Sequence, residues 1–112
     1  MSLQVTALLN IQDGKKEQFQ EVANKCRTLV AENEQNTNLL YDWFIREMQC
    51  EVRETYVDSE AFLKHLENVG EPLGRLLQIA DLVVIRIYGE PSAEVMTALT
   101  GLPVEVYAPL SE

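Results

Sequence analysis

"LLYDWFIREMQCEVRETYV" (39–57) holds two runs of aromatic and β-branched residues with only Glu47 and Met48 between them. Such residues fit a pleated, half-buried surface, so the stretch predicts strands over 39–46 and 49–57 joined as a hairpin. Glu47-Met48 is a poor two-residue turn, because the favoured hairpin turns need residues that accept positive φ. The register therefore rests on the turn being that short. If it is, Ile45 opposes Cys50, Trp43 opposes Val52, Tyr41 opposes Glu54 and Leu39 opposes Tyr56, all on one face. The other face carries Leu40, Asp42, Phe44, Arg46, Gln49, Glu51, Arg53 and Thr55, with Asp42 set against Arg53.

Upstream, "SLQVTALLNI" (2–11) alternates in part and ends at the turn signal Asp13-Gly14, which predicts a strand with Leu3, Val5, Ala7, Leu9 and Ile11 facing one way. From Gly14 to about Asn33 the period lengthens. Phe19, Val22, Ala23, Cys26, Leu29 and Val30 recur at three- and four-residue steps, the mark of an amphipathic helix. "ENEQNTN" (32–38) reads as a polar loop.

Downstream, Asp58 or Ser59 can cap a second helix whose buried stripe is Ala61, Phe62, Leu66 and Val69. "GEPLG" (70–74) should interrupt it before a further helical piece at 75–79. "DLVVIRIYG" (81–89) is the most strand-like run. A short helix with Pro91 in its first turn and a last strand, "PVEVYAP" (103–109), follow; proline at both ends suits an edge strand or one exchanged with another chain.

The order β-α-β-β-α-β with a small α-β tail predicts an α+β, ferredoxin-like fold: one antiparallel sheet with its helices on one face. The 112 residues, 46% of them hydrophobic, can bury one core. We expect a single domain over 1–112, with a core at 3–89 and an extension at 90–112.

Nine basic against 18 acidic residues give a net charge of −9, which disfavours nucleic acid and anionic membranes as partners. No apolar run is long enough to span a bilayer and the N-terminus does not read as a secretory signal, so a cytoplasmic protein is expected. Cys26 and Cys50 read as small buried thiols. With one histidine and two scattered cysteines, no metal site or other cofactor is expected. No Gly-rich phosphate loop or nucleophile elbow occurs. Arg86 in the fourth strand is expected to pair with Glu51 or Asp42.

Glu54 is the anomaly. On the proposed register it shares the core-facing side with Tyr41, Trp43 and Tyr56, where an unpartnered carboxylate would cost several kcal/mol. His65, the only histidine, lies three residues after Phe62 and borders the buried stripe. A Glu54–His65 hydrogen bond across the gap between sheet and helix solves the problem. The pair reads either as structural glue or as the polar corner of a small-molecule cavity. In the second case His65 would be a proton acceptor, oriented by Glu54, with Tyr41, Trp43, Tyr56 and Phe62 as aromatic wall.

"GKKEQFQE" (14–21), "LLYDW" (39–43) and "ETYVDSEAFLKHL" (54–66) together resemble the antibiotic biosynthesis monooxygenase domain family. The last segment carries the likeness best, through Glu54, Tyr56, Asp58, Phe62 and His65, and the resemblance spans roughly residues 3–88. It implies a homodimeric α+β barrel, built by two ferredoxin-like sheets, with a cavity in each protomer. It also implies cofactor-independent oxygenation of a small aromatic or quinol-type molecule, whose anion supplies the electrons. Haem-degrading relatives use an Asn, a Trp and a His. Asn10 is a candidate for the first of these, but Trp43 lies on the second strand and His65 on the second helix, so that set is not reproduced. The open sheet face, with Leu8, Leu40, Phe44, Leu82 and Val84, would be buried in the dimer, and 103–109 could reach across it. The alternative is a non-enzymatic metabolite-binding or scaffold domain, or a monomer with an extra edge strand.

Overall fold

The computed structural model describes residues 1–111. Strands β1 (Leu3–Ile11), β2 (Asn38–Arg46), β3 (Gln49–Tyr56), β4 (Ala80–Tyr88) and β5 (Val104–Tyr107) alternate with helices α1 (Lys16–Asn33), α2 (Ser59–Asn68), α3 (Gly70–Ile79) and α4 (Ala93–Ala98). The sheet order is β2-β3-β1-β4-β5. The first four strands pair antiparallel, the ferredoxin-like arrangement, and β5 adds to the outer edge of β4 in parallel.

The hairpin register is as the two-residue turn requires: Ile45 faces Cys50, Trp43 faces Val52 and Tyr41 faces Glu54. Glu47 accepts φ of 57°, the left-handed conformation that the turn demands. The register slips once, beyond Tyr41. Asn38, not Leu39, pairs with Tyr56, and Leu39 is turned out to solvent. A bulge of one residue reverses which face a side chain occupies.

A second bulge has a larger effect. In β4, Leu82 pairs with Leu9 and Val84 with Leu8, with Val83 left over. Strict alternation would put Leu82 on the open face; the bulge turns it inward, against the helices. Arg86 also departs from expectation. It pairs with Glu105 of β5 at 3.0 Å, because the parallel edge strand sets that carboxylate directly beside it.

The break between α2 and α3 lies at Val69, and "GEPLG" opens α3 instead of interrupting it. Pro72 falls in the first turn, where the missing N–H has no intrahelical partner to lose. Asp58 caps α2, accepting from the Ala61 N–H at 2.8 Å. Pro91 lies ahead of α4, whose cap is Ser92.

One face of the sheet carries the core. Leu3, Val5 and Ile87 pack on Phe62 and Val95, while Leu9 and Val52 pack on Phe19, Val22 and Leu76. The opposite face leaves Leu40 and Phe44 exposed.

Candidate functional site

Between sheet and helices lies a cavity of about 90 Å³. Its walls are mostly aliphatic, and its polar groups gather at one end, where Tyr41, Trp43, Glu54 and His65 converge.

His65 is built in from three sides. The α2 cap fixes the helix so that Ala61, Phe62 and His65 form its buried face. Phe62 stacks on the imidazole with centroids 6.2 Å apart and planes 16° from parallel. Tyr41 and Tyr56 approach from the sheet at 5.2 and 5.1 Å. Only 4% of the residue is exposed, so it lies within the core and not at its border.

The imidazole does meet Glu54, but it is not held by it. His65 Nε2 lies 3.6 Å from Glu54 Oε1, beyond hydrogen-bond length, while Nδ1 lies 3.0–3.1 Å from both oxygens of Glu34. Glu34, not Glu54, therefore orients the ring. The polar run 32–38 hid this residue, since an acidic side chain in a hydrophilic loop reads as solvated. The turn after α1 folds it inward instead. The Glu34 carbonyl accepts from Asn38 N–H, while its side chain accepts from Asn38 Nδ2 at 3.3 Å and from Asn68 Nδ2 at 2.8 Å. One clue was available: a carboxylate at a helix C-terminus opposes the helix dipole and wants another reason to be there.

The two carboxylates differ in charge preference. Burial works to raise the Glu34 pKa, but the hydrogen bonds from His65 and Asn68 outweigh it and hold the group below its ordinary value. Glu54 is raised: burial dominates over the opposing influence of His65 and of the Tyr56 hydroxyl, which donates to Oε1, and the nearby Glu34 adds to the rise. Burial and Glu54 hold both Tyr41 and Tyr56 far above the ordinary phenol value, so both remain O–H donors. Trp43 Nε1 is buried without a hydrogen-bond partner, which makes it a free donor at the polar end of the cavity.

Of the residues singled out in the sequence, Glu54, His65, Tyr41, Trp43 and Phe62 line the cavity. Tyr56 stands behind Glu54 and His65 as a support. Asn10 lies elsewhere: it is exposed and accepts from Gln49 Nε2 at 3.0 Å. Cys26 and Cys50 are free, buried thiols, each pushed by burial to about 11 and so not nucleophilic thiolates at neutral pH. Among the described residues no cluster of three His, Cys, Asp or Glu could hold a metal ion, and no helix is long and apolar enough to cross a membrane.

Solved structures share this architecture. MupZ from Pseudomonas fluorescens superposes with a TM-score of 0.77 at 17% identity, over 99% of this chain and 92% of its own. A candidate antibiotic biosynthesis monooxygenase from Caulobacter crescentus gives 0.69 at 22% identity, over 77% of this chain and 86% of its own. A variant of SnoaB, a cofactor-independent oxygenase from Streptomyces nogalater, gives 0.66 at 10% identity, over 82% and 95%. The fold is that of the antibiotic biosynthesis monooxygenase-like proteins. No family model and no curated protein sequence matches the chain. At these identities the likeness is one of fold.

Proposed function

We propose that this protein is a cofactor-independent oxygenase acting on a small phenol- or quinol-type molecule, with His65 as proton acceptor. The observation that carries the reading is an imidazole edge and a carboxyl group on the wall of an otherwise apolar cavity. Small-ligand sites have this composition, with a few polar groups that fix orientation. Anchoring of Nδ1 by Glu34 leaves Nε2 as the nitrogen facing Glu54, the arrangement that selects a tautomer for proton transfer. In the proposed step Nε2 takes the phenolic proton. The resulting anion reduces dioxygen and bonds it at a carbon that bears hydrogen. That C–H bond and the O–O bond then break, so that one oxygen atom stays as a new carbonyl and the other leaves as water with the proton lost from carbon and the one held on Nε2. Trp43 Nε1 and the Tyr41 hydroxyl are the donors available to a substrate oxygen. The SnoaB and monooxygenase neighbours agree with this chemistry.

The active form is proposed to be a homodimer. Leu40 is 42% and Phe44 55% exposed on a sheet face that no helix covers, and a second copy would bury that apolar area. Phe44→Glu should convert a dimer into a monomer in sedimentation; a parent chain that sediments as a monomer refutes this part.

Oxygen uptake with a panel of phenols and hydroquinones tests the chemistry. His65→Ala is expected to lower the rate by about 10²–10⁴ while the fold persists; equal uptake by variant and parent would refute His65 as the base. The second reading, a binding or scaffold domain with no reaction, is favoured by the complete hydrogen bonding of Glu34 with His65, Asn68 and Asn38. Absence of uptake by the parent, with phenols bound, would select it.

A further inference from the structure

Part of the cavity wall is built by leucines from two separate parts of the chain. Leu77 comes from α3, whereas Leu99 and Leu102 come from the segment after β4. Leu77 and Leu102 line the cavity and yet are 38% and 39% exposed, so each has one side on the cavity and the other in water.

The segment that carries Leu102 is fixed at both ends. Val95 and Leu99 are buried, the Ser92 N–H donates to Ser59 Oγ at 3.0 Å, and β5 is paired along β4. Between these anchors Leu102 sits on a single turn, its N–H donating to the Leu99 carbonyl at 3.1 Å, next to Gly101 at a φ of 88°. The Caulobacter and Streptomyces structures match only 77% and 82% of this chain, whereas MupZ matches 99%. About a fifth of this chain is thus left unmatched by those two neighbours.

The cavity is also too small for a ring. An engineered cavity that binds benzene measures about 150 Å³, against about 90 Å³ here. A ring ligand must displace a wall, and the half-exposed leucines move most easily.

We infer that Leu102, carried by the C-terminal extension, is the size-determining gate of the cavity, admitting monocyclic neutral molecules with their oxygen toward His65 and restricting fused rings. This rests on the cavity being the ligand site, though not on the reaction performed there. Neutral ligands are favoured because Glu34, held ionised beside the imidazole, disfavours the entry of an anion from water.

The test uses phenol and 1-naphthol, followed by NMR through the indole N–H of Trp43, the only tryptophan in the chain. The parent should bind phenol more tightly than 1-naphthol. Leu102→Ala should raise the naphthol-to-phenol affinity ratio by about tenfold or more, with Leu102→Val in between. If both ligands bind and the ratio is unchanged in both variants, the gate is refuted while the site stands. If neither ligand shifts the Trp43 signal in any form, the cavity is not the ligand site and both readings fall. Loss of oxygen uptake in His65→Ala with the size ratio intact would show the gate to be independent of the chemistry.

Discussion

Two parts of the cavity wall are held by different forces. Around His65 the polar groups are tied to one another: Glu34 to His65, Asn68 and Asn38, Glu54 to Tyr56, and the imidazole to three rings. Elsewhere in the wall Leu77 and Leu102 rest on apolar contact alone, partly in water. Hydrogen bonds fix direction, which proton transfer needs. Apolar contact is non-directional, and a wall made of it can yield to an incoming molecule at small cost. One part of the cavity wall is therefore fixed by hydrogen bonds and another by apolar contact alone.

Replacements in the two parts should differ in size and sign. Glu34→Leu removes the partner of Nδ1 and of two amide donors and should cost about 3–5 kcal/mol at pH 7, as for other buried pairs broken from one side, read by urea unfolding. The Glu34 pKa is depressed in the fold, so its contribution is present above the unfolded value, near 4.3, and is lost as pH falls through the folded one. The cost of the variant should therefore shrink below about pH 4. A constant cost down to pH 3 would mean that ionisation of Glu34 is not what holds the ring.

Glu54→Gln should have a smaller effect of opposite sign. The Glu54 pKa is raised in the fold, so its carboxyl favours folding below the unfolded value and loses that contribution as pH rises toward the folded one. A neutral amide that still accepts from Tyr56 avoids the loss. The variant should be more stable than the parent at pH 7, the gap closing near pH 4. Destabilisation at pH 7 would show that Glu54 acts as a needed counter-charge. The smallest effect belongs to the apolar part: Leu102→Ala should lower stability by less than about 1 kcal/mol, since the side chain is already half in water. A loss several times larger would mean that Leu102 is a core residue and not a gate.

Much of this was legible in the sequence. The hairpin, the element order and the alternation of Leu3, Val5 and Leu9 gave the ferredoxin-like sheet, because side-chain periods are local and the core face repeats them. Glu54 and His65 were visible because a carboxylate on an apolar face needs an explanation. Leu39, Leu82 and Arg86 were misread for one shared reason. Bulges and an added parallel strand change facing and neighbours without leaving any mark in the local pattern. Glu34 escaped because polar loops are normally wet.

The sequence by itself determined the fold class and which strand bears Glu54 and which helix His65, since patterning acts through residues two to four positions apart. Only the tertiary structure decided which carboxylate holds the imidazole and which residues come together around the cavity. Glu34 meets His65 across 31 positions of chain, and Leu77 and Leu102 reach one cavity from separate elements. Distances of a few ångströms between such remote residues are set by the packing of whole elements, and no local pattern records them.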